Sequence, residues 1–280
     1  MSYQEYRPSS FNFLPLVVKN LLIINGIFWL ADTVFDQQLG LSFTYHLGLY
    51  FPLSELFRPY QFVTHLFLHG NFMHLLSNMF ALWMFGTVLE NFWGPKRFLT
   101  FYLITGLGAA LIQTLFTWYE LSQLGNEISQ YLAAPNLMDF LALMRKNSMY
   151  LTSDNLNIIN EFLSRWEVMP TDSGLIAQSG ELANQLLVYK MNIPTIGASG
   201  AVFGILLAFG MLFPNTMLYV FFAIPIKAKY FVILYGLFEL ISGISNNPGD
   251  NVAHFAHLGG MLFGFILIKI WNKKNRQHFY

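Results

Sequence analysis

Cysteine is absent from this 280-residue chain. That excludes a thiol nucleophile, a thiolate metal site and a disulfide framework, and says nothing about redox compartment. Charge is scarce as well, at 11% of residues, where soluble domains carry roughly 25%. So few charged groups cannot coat a water-facing surface of this size. Fifteen Lys and Arg balance fifteen Asp and Glu, so no net basic field draws phosphate, and a nucleic-acid binder is excluded. What is present is hydrocarbon: 55% hydrophobic residues, with 29 Phe. That excludes intrinsic disorder and points to a protein of the lipid bilayer.

A helix needs about 20 mainly apolar residues to cross the ~30 Å hydrocarbon core. Six runs qualify, at about 14–35, 73–93, 97–119, 198–213, 229–246 and 252–271. The predicted fold is all-α, a six-helix membrane bundle in a single domain. The first residues lack a basic segment, short apolar core and small-residue cleavage site, so a cleavable signal is not expected. Six spans put both termini on one side. Arg7, Lys96, Arg97, Lys227, Lys229, Lys269, Lys273, Lys274 and Arg276 fall on that side, with Glu5 the clear acid. By the positive-inside rule that side is cytoplasmic, and the expected location is the plasma membrane of a bacterium. The segment 120–193 holds eight acids against four bases. It is read as a long, partly helical insertion on the outer side, with amphipathic helices near 135–147 and 155–167. Their apolar faces are expected to lie on the bilayer or cover the bundle.

Three groups of residues carry chemistry. Gly197-Ala198-Ser199-Gly200 opens the fourth span. Alone it reads as a helix cap or a small-residue packing face before it reads as a nucleophile. The sixth span places His254 and His257 in an apolar helix, and intramembrane ionisable groups suggest function. Gly260 and Gly264 share the face of His257, and Gly200 and Gly204 repeat that four-residue step on span four. Two such faces let backbones approach closely, which brings Ser199 within reach of His257. A His that accepts the Ser proton makes a nucleophile. The second span sets His74 and Asn78 four residues apart on one face, two donors suited to an oxyanion or to interhelical polar contact.

Taken together, His74-x-x-x-Asn78, Gly197-Ala198-Ser199-Gly200 and Ala256-His257-x-x-Gly260 resemble the rhomboid intramembrane serine proteases. The resemblance covers roughly 14–119 and 194–271. It implies Ser199 as nucleophile and His257 as base, a dyad without Asp, with His74, Asn78 and the Ser199 N–H at the oxyanion. It implies a Phe203 ring, where Tyr is usual, stacked on the base, and Gly197, Gly200, Gly260 and Gly264 in support. Implied partners are transmembrane protein substrates and the bilayer, with no cofactor and no metal. Tyr60-Gln61 stands where the family often has Trp-Arg. His65 and His69 are four residues apart, and without an H-E-x-x-H they are read as loop hydrogen-bonding groups rather than zinc ligands. His254 is assigned to the rim of the site; His46 and His278 carry no motif. Two rivals stay open: a catalytically silent rhomboid-like protein that binds membrane clients, and a metal transporter built on the histidines.

Overall fold

A computed structural model describes residues 11–220, 223–245 and 252–277, with side chains as far as 273. Glu5, Arg7 and His278, the end of the fifth predicted span at 246, and the side chains of Lys274 and Arg276 lie outside the described residues. The helices in chain order are α1 (Leu16–Leu39), α2 (Phe43–Leu47), α3 (Gln61–Thr64), α4 (Phe72–Ala81), α5 (Thr87–Trp93), α6 (Pro95–Ala133), α7 (Leu137–Lys146), α8 (Ser153–Val168), α9 (Ser173–Met191), α10 (Ser199–Leu212), α11 (Ala228–Ser245) and α12 (His254–Gln277). A two-stranded antiparallel hairpin, β1 (Met217–Val220) and β2 (Ile224–Lys227), joins α10 to α11, a small departure from a purely helical chain.

Among the described residues, five segments are long and apolar enough to cross a membrane: Leu16–Leu39, Phe72–Trp93, Pro95–Ala133, Ala228–Ser245 and His254–Lys273. The second comprises α4 and α5, joined by a π-helical turn at Leu82–Gly86. The sixth predicted span is different. Helix α10 has 14 residues, a rise of about 21 Å, which falls short of the hydrocarbon core. It is sheathed by α4, α5, α6, α11 and α12 rather than by lipid; ten of its residues are buried and the others half-buried. A short helix is tolerated there because protein, not lipid, meets its ends.

Local chemistry explains where the spans begin. Pro15 precedes α1 and supplies no side-chain cap. Glu90, on α5 and 3% exposed, does so instead. Its two carboxylate oxygens accept the backbone N–H groups of Val17 and Val18 at 2.9 and 2.8 Å. A carboxylate on two otherwise orphaned donors is favoured by charge and geometry together. Gly94, at φ 80°, reverses the chain into Pro95, the first residue of α6, where a missing N–H costs nothing.

The insertion departs most from expectation. Helix α6 does not stop where its apolar run ends near 119; it continues for 39 residues in all. Its last turns pack with α7, α8 and α9 around a separate core that includes Ile128, Phe140, Phe162, Trp166 and Leu186. The α7 and α8 helices match the two predicted amphipathic stretches. Their apolar faces, expected on the bilayer or over the bundle, are spent on each other. The rings of Phe140, Phe162 and Trp166 meet at centroid distances of 5.4 to 5.7 Å. Lys190, on α9, is buried and reaches Tyr150 at 2.6 Å and Glu120 at 3.3 Å; burial pushes the Tyr150 phenol up to about 12. Trp166→Ala removes the largest ring of this core and is expected to cost about 3–5 kcal/mol. Limited proteolysis should then cut between 137 and 191 while the membrane bundle stays protected; simultaneous loss of both would show that the two cores unfold as one.

Candidate active site

The fourth and sixth predicted spans meet at backbone level. A β-carbon added to Gly260 would lie 1.8 Å from the carbonyl oxygen of Gly200, and one added to Gly204 would lie 3.0 Å from that of Gly260. Glycine is needed at Gly260 for lack of any room, whatever its backbone angles. Gly264 is less crowded: its nearest neighbours would stand at 3.2 to 3.4 Å.

With the helices this close, the Ser199 hydroxyl and His257 Nε2 stand in hydrogen-bond contact at 2.8 Å. The Phe203 ring, one turn along α10, stacks on the His257 imidazole at 4.1 Å between centroids with planes 9° apart. Ser199 is the first residue of α10, so its N–H is among the helix-start donors without an intrahelical acceptor.

The segment leading into α10 is pinned by backbone hydrogen bonds at two points. Thr195 and Leu49 exchange backbone bonds at 2.8 and 3.0 Å, and the Gly197 N–H donates to the His65 carbonyl at 2.9 Å. Gly197 has φ 122°, a conformation L side chains rarely adopt. A β-carbon there would also stand 3.0 Å from His74 Nε2 and 3.6 Å from Ser199 Oγ. The space kept open by Gly197 therefore lies between the hydroxyl and the imidazole. Asn71 caps α4 by accepting the His74 N–H at 2.8 Å. One turn on, Asn78 is buried, and its Nδ2 has no hydrogen-bond partner among the described residues. A small cavity beside Ser199 is bordered by Ala109, Ala253 and Ala256, with His65 and Thr195 as its polar edge.

Three histidines differ from their sequence assignments or refine them. His65 hydrogen-bonds in the loop as expected, Nδ1 donating to the Gln61 carbonyl at 2.8 Å; burial pushes it down to about 4. His69 does not: among the described residues neither ring nitrogen has a partner of good geometry. Burial, with His74 close by, pushes it down to about 3 against a weaker pull from the Phe67 backbone. His65, His69 and His74 do not bring three nitrogens within 4.8 Å of one another. His254 is not at a rim. It is buried, and its Nδ1 donates to Glu239 Oε2 at 2.6 Å.

Glu239 itself went unnoticed in the sequence. It lies on α11, is 2% exposed, and the same Oε2 accepts from His257 Nδ1 at 2.8 Å. The implied two-residue arrangement thus has a carboxylate behind its imidazole. The signal is legible in the sequence: an acid within an apolar helix is costly unless used, and Glu239 meets that criterion as the two histidines do. By residue type, Glu239, His254 and His257 are also a metal-holding set. Two ligands on one tetrahedral zinc stay about 3.3 Å apart. The contacts of 2.6 and 2.8 Å are hydrogen-bond lengths, which favours protons between them.

A family profile, the Rhomboid domain, matches residues 56–125 and 124–274. The chain belongs to the rhomboid family. Relatives include a mitochondrial rhomboid protein of Schizosaccharomyces pombe, 24% identical over 93% of this chain and 66% of its own length. A mitochondrial RHOMBOID-like protein of Arabidopsis thaliana is 26% identical over 87% of this chain and 55% of its own. The rhomboid protease AarA of Providencia stuartii is 40% identical over 20% of each chain. The chain spans about two thirds and about half the length of the first two. It is a rhomboid-type multi-pass membrane protein. The expectation of a bacterial plasma membrane is not supported, because the relatives matched over most of this chain carry mitochondrial names.

The crowding at the two glycines gives a graded test. Gly260→Ala must push α12 off α10, and is expected to lower the unfolding midpoint in detergent and abolish any reaction at Ser199. Gly264→Ala should cost much less, at or below the about 1–3 kcal/mol of ordinary overpacking. Equal effects would remove the backbone contact at Gly260 from its role.

Proposed function

We propose that this rhomboid is an active serine endopeptidase that cleaves peptide bonds in or next to membrane-spanning segments. The observation that carries the reading is the 2.8 Å hydrogen bond from Ser199 to His257 Nε2. Ser199 Oγ attacks the scissile carbonyl as His257 takes its proton. The new oxyanion is received by the Ser199 N–H with His74 and Asn78, whose unpaired Nδ2 is a donor without a ground-state partner. Collapse breaks the C–N bond, and His257 hands its proton to the leaving amine. Water then enters, and the ester is hydrolysed by the same steps with roles reversed. The polar edge of the cavity at His65 and Thr195 suits that water. A substrate helix must first unwind locally, since its peptide bonds are shielded and their hydrogen bonds made.

The silent, client-binding reading would leave the Ser–His pair without a use, and the metal-transport reading finds no convergence of His65, His69 and His74. Purified protein in detergent with a single-span substrate decides between these readings. Ser199→Ala and His257→Ala should each abolish cleavage while remaining folded, and a serine-reactive phosphonate should label Ser199 alone. Intact cleavage in either variant would sink the mechanism. Asn78→Ala or His74→Ala should lower kcat by about 10²–10³ for a dominant oxyanion donor; a change in KM alone would make that residue a substrate-positioning group.

For topology, we place the insertion on the face opposite the termini, as the excess of Lys and Arg on the terminal side suggests. A single Cys introduced at Ser153 should react with an impermeant maleimide from that opposite face. Labelling from the terminal side would invert the arrangement.

A further inference from the structure

We propose that Glu239 is a positioning residue of this reaction: it fixes His257 in the tautomer that can act as base, and His254 anchors the carboxylate in turn. The inference rests on the serine-protease reading above and adds a third and a fourth residue to it.

A carboxylate oxygen only accepts, so the 2.8 Å contact to Glu239 Oε2 places a proton on His257 Nδ1. In a neutral ring Nε2 then carries the lone pair, and Nε2 is the atom facing Ser199 Oγ. The alternative tautomer would present a donor to the hydroxyl and could not take its proton. Stacking on Phe203 fixes the plane of the imidazole. It does not fix the half-turn within that plane, which exchanges the nitrogen and carbon edges of the ring. The bond to Glu239 removes that second orientation. It also sets a negative charge beside the imidazolium that forms when His257 accepts the proton, in surroundings with little water to screen it.

His254 has a distinct part. It precedes His257 by three residues on the first turn of α12, so both rings turn toward α11. Its Nδ1 donates to the same Oε2 at 2.6 Å. One oxygen thus receives two imidazole N–H groups. The rings sit at 85° to each other with centroids 6.3 Å apart, which lets both approach one atom. A lone intramembrane carboxylate is expensive; two short hydrogen bonds offset part of that cost and hold the carboxylate against rotation. The three groups lie on two helices, α11 and α12, joined here by polar contact.

Three variants and one spectrum test the proposal. Glu239→Gln keeps size but removes the charge, and its amide can turn either its accepting oxygen or its donating nitrogen to the two histidines, so the Nδ1–H tautomer of His257 is no longer enforced. kcat should fall by about 10²–10⁴, up to the roughly 10⁴ lost when a serine triad loses its carboxylate, with KM within about threefold and phosphonate labelling of Ser199 slowed in parallel. Glu239→Asp should retain more activity than Glu239→Gln, because it still accepts. His254→Gln should lose less than Glu239→Gln, because Glu239 still holds His257. In uniformly folded wild-type protein, ¹⁵N spectra of the His257 ring should show the proton on Nδ1, and Glu239→Gln should give a mixture.

Activity of Glu239→Gln within twofold of wild type overturns the proposal. So does a loss confined to KM, or a wild-type spectrum with the proton on Nε2. That last measurement stands even if the variants fold poorly. Absence of cleavage and labelling in the wild type would instead overturn the protease reading and leave the tautomer measurement intact.

Discussion

The contact between two backbones, Gly200 on α10 and Gly260 on α12, governs the geometry of the site. No hydrophobic force draws helices together inside a bilayer, because lipid is as apolar as leucine. Close approach must come from surface shape, and the glycines supply it at Gly200, Gly204, Gly260 and Gly264. Ser199 is the residue before Gly200, and His257 lies three before Gly260. Their 2.8 Å bond follows from an interval between helices that side chains of any size would widen. Phe203 and Glu239 then act on an imidazole already delivered to the right place, one fixing its plane and the other its edge.

Much of this was readable from the chain because the same residues answered two questions. Apolar length marked five of the spans to within a few residues at most of their ends, and the four-residue glycine step marked which two would touch. Where reading failed, the criterion measured something else. The end of an apolar run locates the edge of lipid, not the end of a helix. Residues 120–133 are polar but contain no proline and one glycine, so α6 runs on until Pro135 follows its end. Helix α9 is hard to read from the sequence because its periodicity is diluted by Ser, Ala and Gly. Its start was nevertheless signalled by Asp172, whose carboxylate accepts the Leu175 N–H at 2.8 Å. The missing zinc motif leaves His69 to a loop hydrogen bond, and the lack of one role does not supply an acceptor for another.

The polar groups of the bundle interior are few, and most are employed at helix ends or crossings. Glu90 caps α1, Asn71 caps α4, the His65 carbonyl holds Gly197, and Glu239 joins α11 to α12. In each case the partner comes from another element or closes a helix terminus. Apolar faces alone leave rotation and register weakly specified between slippery helices; these contacts select one arrangement. Asn78 and His69, like Asn25, Thr87, Tyr102 and Gln113, keep a buried polar atom with an unmade bond among the described residues, and each such group calls for its own explanation.

Helix α6 ties the two cores together in a mechanical sense. Gly106 and Ala109 lie beneath the site, against Leu66 and Gly200 respectively, and Tyr131 belongs to the insertion core. From Ala109 to Tyr131 is 22 residues of one unbroken helix, a beam of about 33 Å. A tilt of about 5° pivoting at Ala109 carries Tyr131 sideways by about 3 Å over that rise. Load applied to the insertion is thus not absorbed in a linker. It arrives as torque on the floor under Ser199, where Ala109 already presses on Gly200 and the clearances are smaller than a methyl group.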